Sequence, residues 1–414
     1  MNLKSIAVVG AGIIGTVCAN FLRRDGHAVT LFDRGEPGEE ASFGNSGVFS
    51  PAGVLPVAMP GMVKQVPAWL LDEKGPLFIH WSQALRLTPW LIRFLRAGRV
   101  AEVRRISRAL ADLNGETLDL MWPLIEEAGI ADVIENKGGL YLYRSQAEFE
   151  RDTLSCQLRR DAGFTLEELS AGEIHEAEPA LAPVFERGLY LPQLGHTLNP
   201  HHLVSGLAAH LVRTGGQVTR HDIGAVQQLA DDRARVVTAE GNHDFDLVVV
   251  AAGAWSQKLL APLGYRIPLE SQRGYHVMLP NPGVTLNSVV MPVASRVILT
   301  PMELGLRLSG TVEFAGLERP PNYQRSTAIL EICKTLIPDL NCADQAPWAG
   351  HRPCTPDSLP VLGRAPRHPN ILFAFGHGHQ GMMASPKTAQ IIAHLVADRA
   401  PNIDLTPFDA RRFT

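Results

Sequence analysis

From Ser5 to Asp33 the apolar residues change period twice, which predicts a strand, a helix and a second strand. Ile6 to Val9 is a short β-branched-rich run, the pattern of a parallel strand buried on both faces. Thr16 to Arg24 then sets Val17 and Phe21 on one helical face and stops at Asp25-Gly26. The run HAVTLFD closes the unit as a strand ending at Asp33. A second apolar run, FDLVVVAAGAWS (245–256), follows residues 215–246, which read as a strand and a small antiparallel meander. A third, NILFAF (370–375), enters a turn with Gly376, Gly378 and Gly381, followed by a long amphipathic helix from about Ser385.

The first strand runs straight into Gly10-Ala11-Gly12-Ile13-Ile14-Gly15, a G-x-G-x-x-G turn in its proper βαβ context. Gly10 makes the tight turn, Gly12 lets backbone approach a pyrophosphate, and Gly15 lets helix and strand pack closely. The free N–H groups at the helix start meet phosphate charge, and Asp33, with Arg34 beside it, can bind the ribose hydroxyls. The same N-terminal run resembles the apolar core of a secretory signal, but the acidic strand end beyond it favours a nucleotide site. NAD and FAD both bind through ADP, so the fingerprint leaves both open. Three further segments favour FAD. GEEASFGNSGVFSP gathers Ser42, Asn45, Ser46 and Gly47; the second apolar run ends in Ala252, Gly253 and Trp255; the third leads to the glycine turn.

At 414 residues the chain exceeds one ordinary core, so two domains are expected. A net charge of -4 argues against nucleic acid as the partner. The cysteines Cys18, Cys156, Cys333, Cys342 and Cys354 form no C-x-x-C pair, which fits neither a disulfide framework nor a zinc site and points to a reducing, cytoplasmic setting. His377 and His379 have no third ligand nearby, so no metal is expected. TPWLIRFLRAGRVAEVRRISR (88–108), as one helix, would set Leu91, Phe94 and Leu95 apart from Arg93 and Arg96. Such a face packs on its own domain or lies peripherally on an anionic membrane, and no stretch is long and apolar enough to span one. His201 and His202 begin a helix that Asn199 caps, with Pro200 at its first position.

WAGHRPCTPDSLPVLG (348–363) places Arg352 close to Pro353, Pro356 and Pro360, and the missing N–H groups predict a rigid, loop-like path. With this segment the chain resembles the FAD-dependent D-amino-acid oxidase superfamily, and within it the bacterial D-amino-acid dehydrogenase branch of the small-subunit type. The resemblance rests on the glycine fingerprint, GEEASFGNSG, MPGMVKQVPAWLLDEKGPLFIHW (59–81), VVVAAGAWS, GHRPCTPDSLPVLG and FGHGHQGM. It implies an α/β fold: a Rossmann-type, glutathione-reductase-like FAD-binding domain interleaved with an antiparallel-sheet substrate domain of the D-amino-acid oxidase type. The implied partition is 1–55, 196–262 and 348–414 for FAD, with 56–195 and 263–347 for substrate.

The resemblance also implies site residues. Gly378, His379, Gln380, Gly381 and Met382 would sit beside the pyrimidine end of the flavin, and Val226 would contact the adenine side. Arg352 would anchor the substrate carboxylate, and its planar fork fixes the pose of Cα over flavin N5 as a lysine would not. Tyr275, in QRGYHV on an expected strand, could donate its hydroxyl to that carboxylate or simply pack, with His276 on the opposite face. His379 stands where glycine oxidases carry another arginine, which makes it a flavin or substrate contact. The implied activity is hydride transfer from Cα of a D-amino acid to non-covalently held FAD, including cyclic substrates such as D-proline or cis-4-hydroxy-D-proline. The electrons would pass to a quinone or the respiratory chain. Oxidation of an N-methyl amino acid such as sarcosine, and a flavin electron-relay subunit of a larger complex, are the alternatives.

Overall fold

The computed structural model describes residues 3–62 and 77–413, so much of the MPGMVKQVPAWLLDEKGPLFIHW segment lies outside the described residues. The chain opens with β1 (Ser5–Val9), α1 (Ile13–Arg24) and β2 (Ala28–Asp33). The excursion after β2 includes the helices α2 (Ala84–Ala97), α3 (Val100–Asn114), α4 (Thr117–Ala128) and α5 (Thr153–Asp161). Helix α6 (Pro200–Arg213) leads back to β3 (Gln217–Arg220) and β4 (Leu247–Val250). Strands β5 (Glu270–Leu279), β6 (Gly305–Phe314) and β7 (Ala346–Cys354) precede the hairpin of β8 (Val361–Ala365) and β9 (His368–Phe375), and α7 (Gly381–Val396) ends the main body.

Two sheets organise these elements. The first has the order β3-β2-β1-β4-β9-β8, parallel throughout except for β8. Every residue of β4 is buried, as a strand covered on both faces requires. Helices α1, α4, α6 and α7 cover one face through a core that includes Val17, Leu124, Leu207 and Ile392, while the small meander beginning at Ile223 packs on the other. Strand order reverses between β1 and β4, the place where a doubly wound sheet opens a crevice for a dinucleotide. The three glycine segments, at the ends of β1, β4 and β9, therefore meet at one edge.

The second sheet has nine strands, with β7 at its edge, β5 beside it and β6 next. The proline-rich path is thus a strand as far as Cys354, and the loop begins only beyond that residue. Pro347 and Pro353 are tolerated because β7 pairs with β5 alone, so a missing N–H on the outer side breaks no ladder. The Arg-rich stretch also differs from a single helix: α2 stops at Gly98, α3 starts at Val100, and Leu95 shares the exposed side with Arg93 and Arg96. Packing moves the domain partition as well. α3 and α4 contribute Leu110, Leu113, Leu124 and Ile125 to cores shared with α1 and α7, so this part of the 56–195 segment belongs to the nucleotide unit, while 348–354 belongs to the substrate sheet.

Candidate active site

A cavity of about 370 Å³ runs along the strand ends of the first sheet. Gly10, Gly12, Ile13 and Ile14 line it from the first turn, and Asp33, Arg34, Ser42 and Asn45 from β2 and the loop beyond. Ala252, Gly253 and Trp255 close a second side, and Gly378, Gly381 and Met382 a third. Gly15 stands behind the cavity: a Cβ there would overlap the Gly10 carbonyl oxygen, so α1 could not approach β1. Val226 is not in the wall. It sits in the core opposite Val236, and Ile223 and Gly224 of the same strand line the cavity. Gly47 turns the loop in the left-handed region, with φ 77° and its amide on Asn45 Oδ1 at 2.8 Å, but does not line either cavity.

The electrostatics of this cavity suit FAD. Neither N-cap residue, Gly12 of α1 or Gln380 of α7, makes a side-chain cap, neither helix has an acidic residue in its first turn, and both helix starts line the cavity. Ser42 Oγ accepts the Ile13 N–H at 2.9 Å, and the partial positive charge of the two helix ends is available to a pyrophosphate and to a flavin ring. Asp33 accepts hydrogen bonds from Ala11 N at 2.6 Å and Gly35 N at 3.0 Å, which ties the glycine turn to the end of β2. Arg34 lies 4.0 Å over the Trp255 ring and pairs with Glu40 at 2.5 Å.

A second cavity, about 510 Å³, adjoins the first through Ala41, Asn45 and Gly378. Arg352, Ser46, His379 and Gln380 line it. The register of β5 on β7 decides which side chains join them. Gln272 pairs with Arg352 and Gly274 with Gly350, and all four line the cavity. A Cβ at Gly274 would overlap the Arg352 guanidinium, so this glycine makes the room that the arginine occupies. Tyr275, one residue on, points to the other face. Its hydroxyl donates to Glu313 Oε2 at 2.5 Å and accepts from Asn322 N at 2.9 Å, while Glu313 also pairs with Arg273 at 3.2 Å. Burial first, and Glu313 second, push the phenol up to about 12. Tyr275 is therefore a buried support behind the sheet, and the expected carboxylate contact is corrected. His276 shares the face of Arg352, stacked on Trp348 with ring centroids 5.1 Å apart.

Arg352 Nη1 donates to Thr311 O at 3.2 Å, and among the described residues no carboxylate lies within ion-pair distance of it. Burial pulls its guanidinium below the usual value. The outer edge of β7 holds the glycine turn: Gly378 N donates to Pro353 O at 2.8 Å, and Cys354 bridges to His377. His377 faces the first cavity and bonds Thr388 Oγ1 at 3.0 Å; His379 faces the second. His379 is exposed, and it lines the second cavity. Burial, and then the Arg352 charge, push its imidazole down to about 4, so it is neutral at pH 7.

Two supports were not expected from the sequence. Gly274 had a visible signal, a glycine inside a strand pattern. Arg307 had none: from β6 it donates to Phe43 O at 2.8 Å and Asn45 O at 2.5 Å, holding the loop that both cavities share.

A doubly wound nucleotide sheet joined to a large, mainly antiparallel sheet, with adjoining cavities between them, defines a two-domain flavoprotein oxidoreductase. The chain belongs to the FAD dependent oxidoreductase family, which it matches over residues 5–395. It is 38% identical over 417 residues to a D-amino-acid oxidase of Bradyrhizobium diazoefficiens, covering 99% of each chain. It is 35% identical to a D-amino acid dehydrogenase of Paramagnetospirillum magneticum, again over 99% of each. In fold it is similar to glycine oxidase from Geobacillus kaustophilus, with a TM-score of 0.75, 24% identity and 99% of both chains covered. The cofactor is FAD, and the chemistry is oxidative dehydrogenation of an amino acid.

Proposed function

We propose that this chain oxidises D-amino acids, with Arg352 anchoring the substrate carboxylate where the two cavities meet. The observation that carries this reading is the guanidinium itself: it lines the larger cavity, and the described residues offer it no carboxylate. A charge removed from water without a partner is costly, and a substrate anion is the partner the cavity can receive. The D configuration is supported by the names of the two relatives.

FAD, when bound, supplies N5 as the acceptor of the hydride from Cα. Arg352 fixes the carboxylate by its fork, and Thr311 O holds that fork in place. His379 adds no second positive charge at neutral pH, so it can hydrogen-bond a neutral substrate amine without repelling it. A primary amine would leave as an imino acid that hydrolyses to a 2-oxo acid and ammonia. A proline-type substrate, such as D-proline or cis-4-hydroxy-D-proline, would leave as a pyrroline carboxylate. A relay subunit without a substrate would have little use for an arginine that lines the cavity with no carboxylate partner among the described residues.

For the electron acceptor we favour a quinone reached by peripheral membrane contact. Leu85, Ile92 and Leu95 of α2 are exposed beside Arg93 and Arg96, and among the described residues no helix is long and apolar enough to cross a membrane. The test is anaerobic titration of the yellow protein with D-amino, cyclic imino and N-methyl amino acids, followed by reoxidation with oxygen or a quinone analogue. Bleaching of the flavin band by D-amino acids and not by their L-enantiomers is the expected result. If no D-amino acid bleaches it, the reading fails.

A further inference from the structure

The end of the larger cavity formed by α5 carries polar groups that the anchoring of an α-carboxylate does not use. Arg159 of α5 lines this cavity, is 4% exposed, and lies 4.2 Å over the ring of Tyr141. Its Nε and Nη1 have no hydrogen-bond partner. The nearest carboxylate, Asp152, is 4.0 Å from Nη1, and its Oδ2 already accepts the Tyr143 hydroxyl at 2.8 Å. The hydroxyls of Ser50, Ser309 and Thr311 in the same wall are also buried without partners. Buried polar groups are almost always paired in folded proteins, so several orphans around one cavity mark the place of a polar ligand. Because a guanidinium can only donate, that ligand must accept, and a carboxylate accepts best.

We propose that Arg159 forms a second anion subsite, so that the preferred substrates carry a second carboxylate on the side chain, as D-aspartate and D-glutamate do. The proposal rests on the reading of Arg352 as anchor of the α-carboxylate. Arg352 then takes one end of the substrate, and Arg159 takes the other. The stacking on Tyr141 fixes the plane of the second fork before the substrate arrives, so little order is lost on binding. An uncharged amide of the same shape offers Arg159 a weaker acceptor and no opposite charge.

The test uses the FAD-loaded enzyme and isosteric pairs: D-glutamate against D-glutamine, and D-aspartate against D-asparagine. Loss of a charge-assisted hydrogen bond predicts kcat/KM higher for at least one acid by roughly tenfold or more. Arg159→Met, which keeps the bulk over Tyr141, should lower that acid's value by roughly tenfold more than its amide's. A measurement on the unaltered protein needs neither turnover nor a variant: titration of the flavin absorbance with glutarate and with butyrate. Glutarate is expected to bind roughly tenfold or more tightly.

The proposal is overturned if glutarate binds no better than butyrate, or if both amides are turned over as well as their acids. It is overturned too if Arg159→Met lowers acid and amide equally. If no D-amino acid reduces the flavin, the D-amino-acid reading falls, and the glutarate titration still decides whether the second subsite exists.

Discussion

Replacing Arg352 by lysine keeps the charge at the junction of the cavities and removes the fork. In the unaltered protein one hydrogen of Nη1 is spent on Thr311 O at 3.2 Å, which leaves the rest of the guanidinium for two parallel bonds to a carboxylate. A lysine ammonium, on a thinner and more mobile stem, can keep one of those bonds in a fixed direction. The loss of one hydrogen bond to a charged group is ~1.5–3 kcal/mol, or roughly a 10–150-fold fall in kcat/KM. Because the substrate is bound through the same contact before and during reaction, most of the loss should enter KM. Arg352 does not line the flavin cavity, so FAD content, read from the ratio of flavin to protein absorbance, should stay that of the unaltered enzyme. Gly274→Ala supplies a second arm that leaves the arginine present. Its Cβ would occupy guanidinium space, and the glycine is absent from the positive-φ residues, so the backbone tolerates the change. Stopped-flow reduction under anaerobic conditions at varied D-amino acid gives both constants. Should both variants stay within about twofold of the unaltered enzyme, Arg352 does not anchor the substrate.

Tyr275→Phe removes the hydroxyl that joins Glu313 to Asn322 behind the sheet, and the cost in unfolding free energy should be ~1–3 kcal/mol by urea titration. KM should move little; a steep rise in KM at unchanged stability would put the phenol back in the substrate cavity. Stability should also fall in acid. His276 and His377 are held by burial down to about 3, whereas in the unfolded chain they take up protons below about 6.5. Their contribution is complete above that pH and is lost as pH falls towards 3, at up to ~1.4 kcal/mol per pH unit for each. Urea midpoints at a series of pH values check this, and His377→Gln should flatten the slope. An equal slope in the variant would mean that His377 titrates normally in the folded protein.

What was legible in the sequence is what local physics decides. The fingerprint from Ile6 to Asp33 is complete within one βαβ unit, and its glycines are required by contacts inside that unit, so it could be read without the rest of the chain. The glycine turn hides the start of α7, which the sequence suggests at about Ser385. The helix starts at Gly381 instead, and the Ser385 hydroxyl donates at 2.9 Å to Met382 O, the carbonyl that Pro386 leaves without a backbone donor. Strand alternation in QRGYHV showed that Tyr275 and His276 face opposite ways, but the phase depends on pairing with β7, which lies far along the chain. The same holds for α3 and α4, whose apolar faces fit either domain until α1 and α7 are in place.

The prolines around Arg352 have a different use from the stiffness that the sequence suggests. An edge strand exposes unpaired groups that invite another chain, and proline on the edge removes a donor from that template. It leaves the carbonyl. On the outer side of β7, Pro353 O accepts the Gly378 amide at 2.8 Å, so the strand that carries Arg352 also holds the turn that lines both cavities. Arg352 and Gly378 are thereby tied to each other through one residue and one hydrogen bond, and under the role proposed for Arg352 the same link ties the substrate carboxylate to the glycine turn. Hydride transfer requires the distance from carboxylate to flavin to be held closely, because misplacement by an ångström costs on the order of a hundredfold in rate. The arginine belongs on this edge for that reason: a central strand would have its carbonyls taken by neighbours and none left to hold the turn.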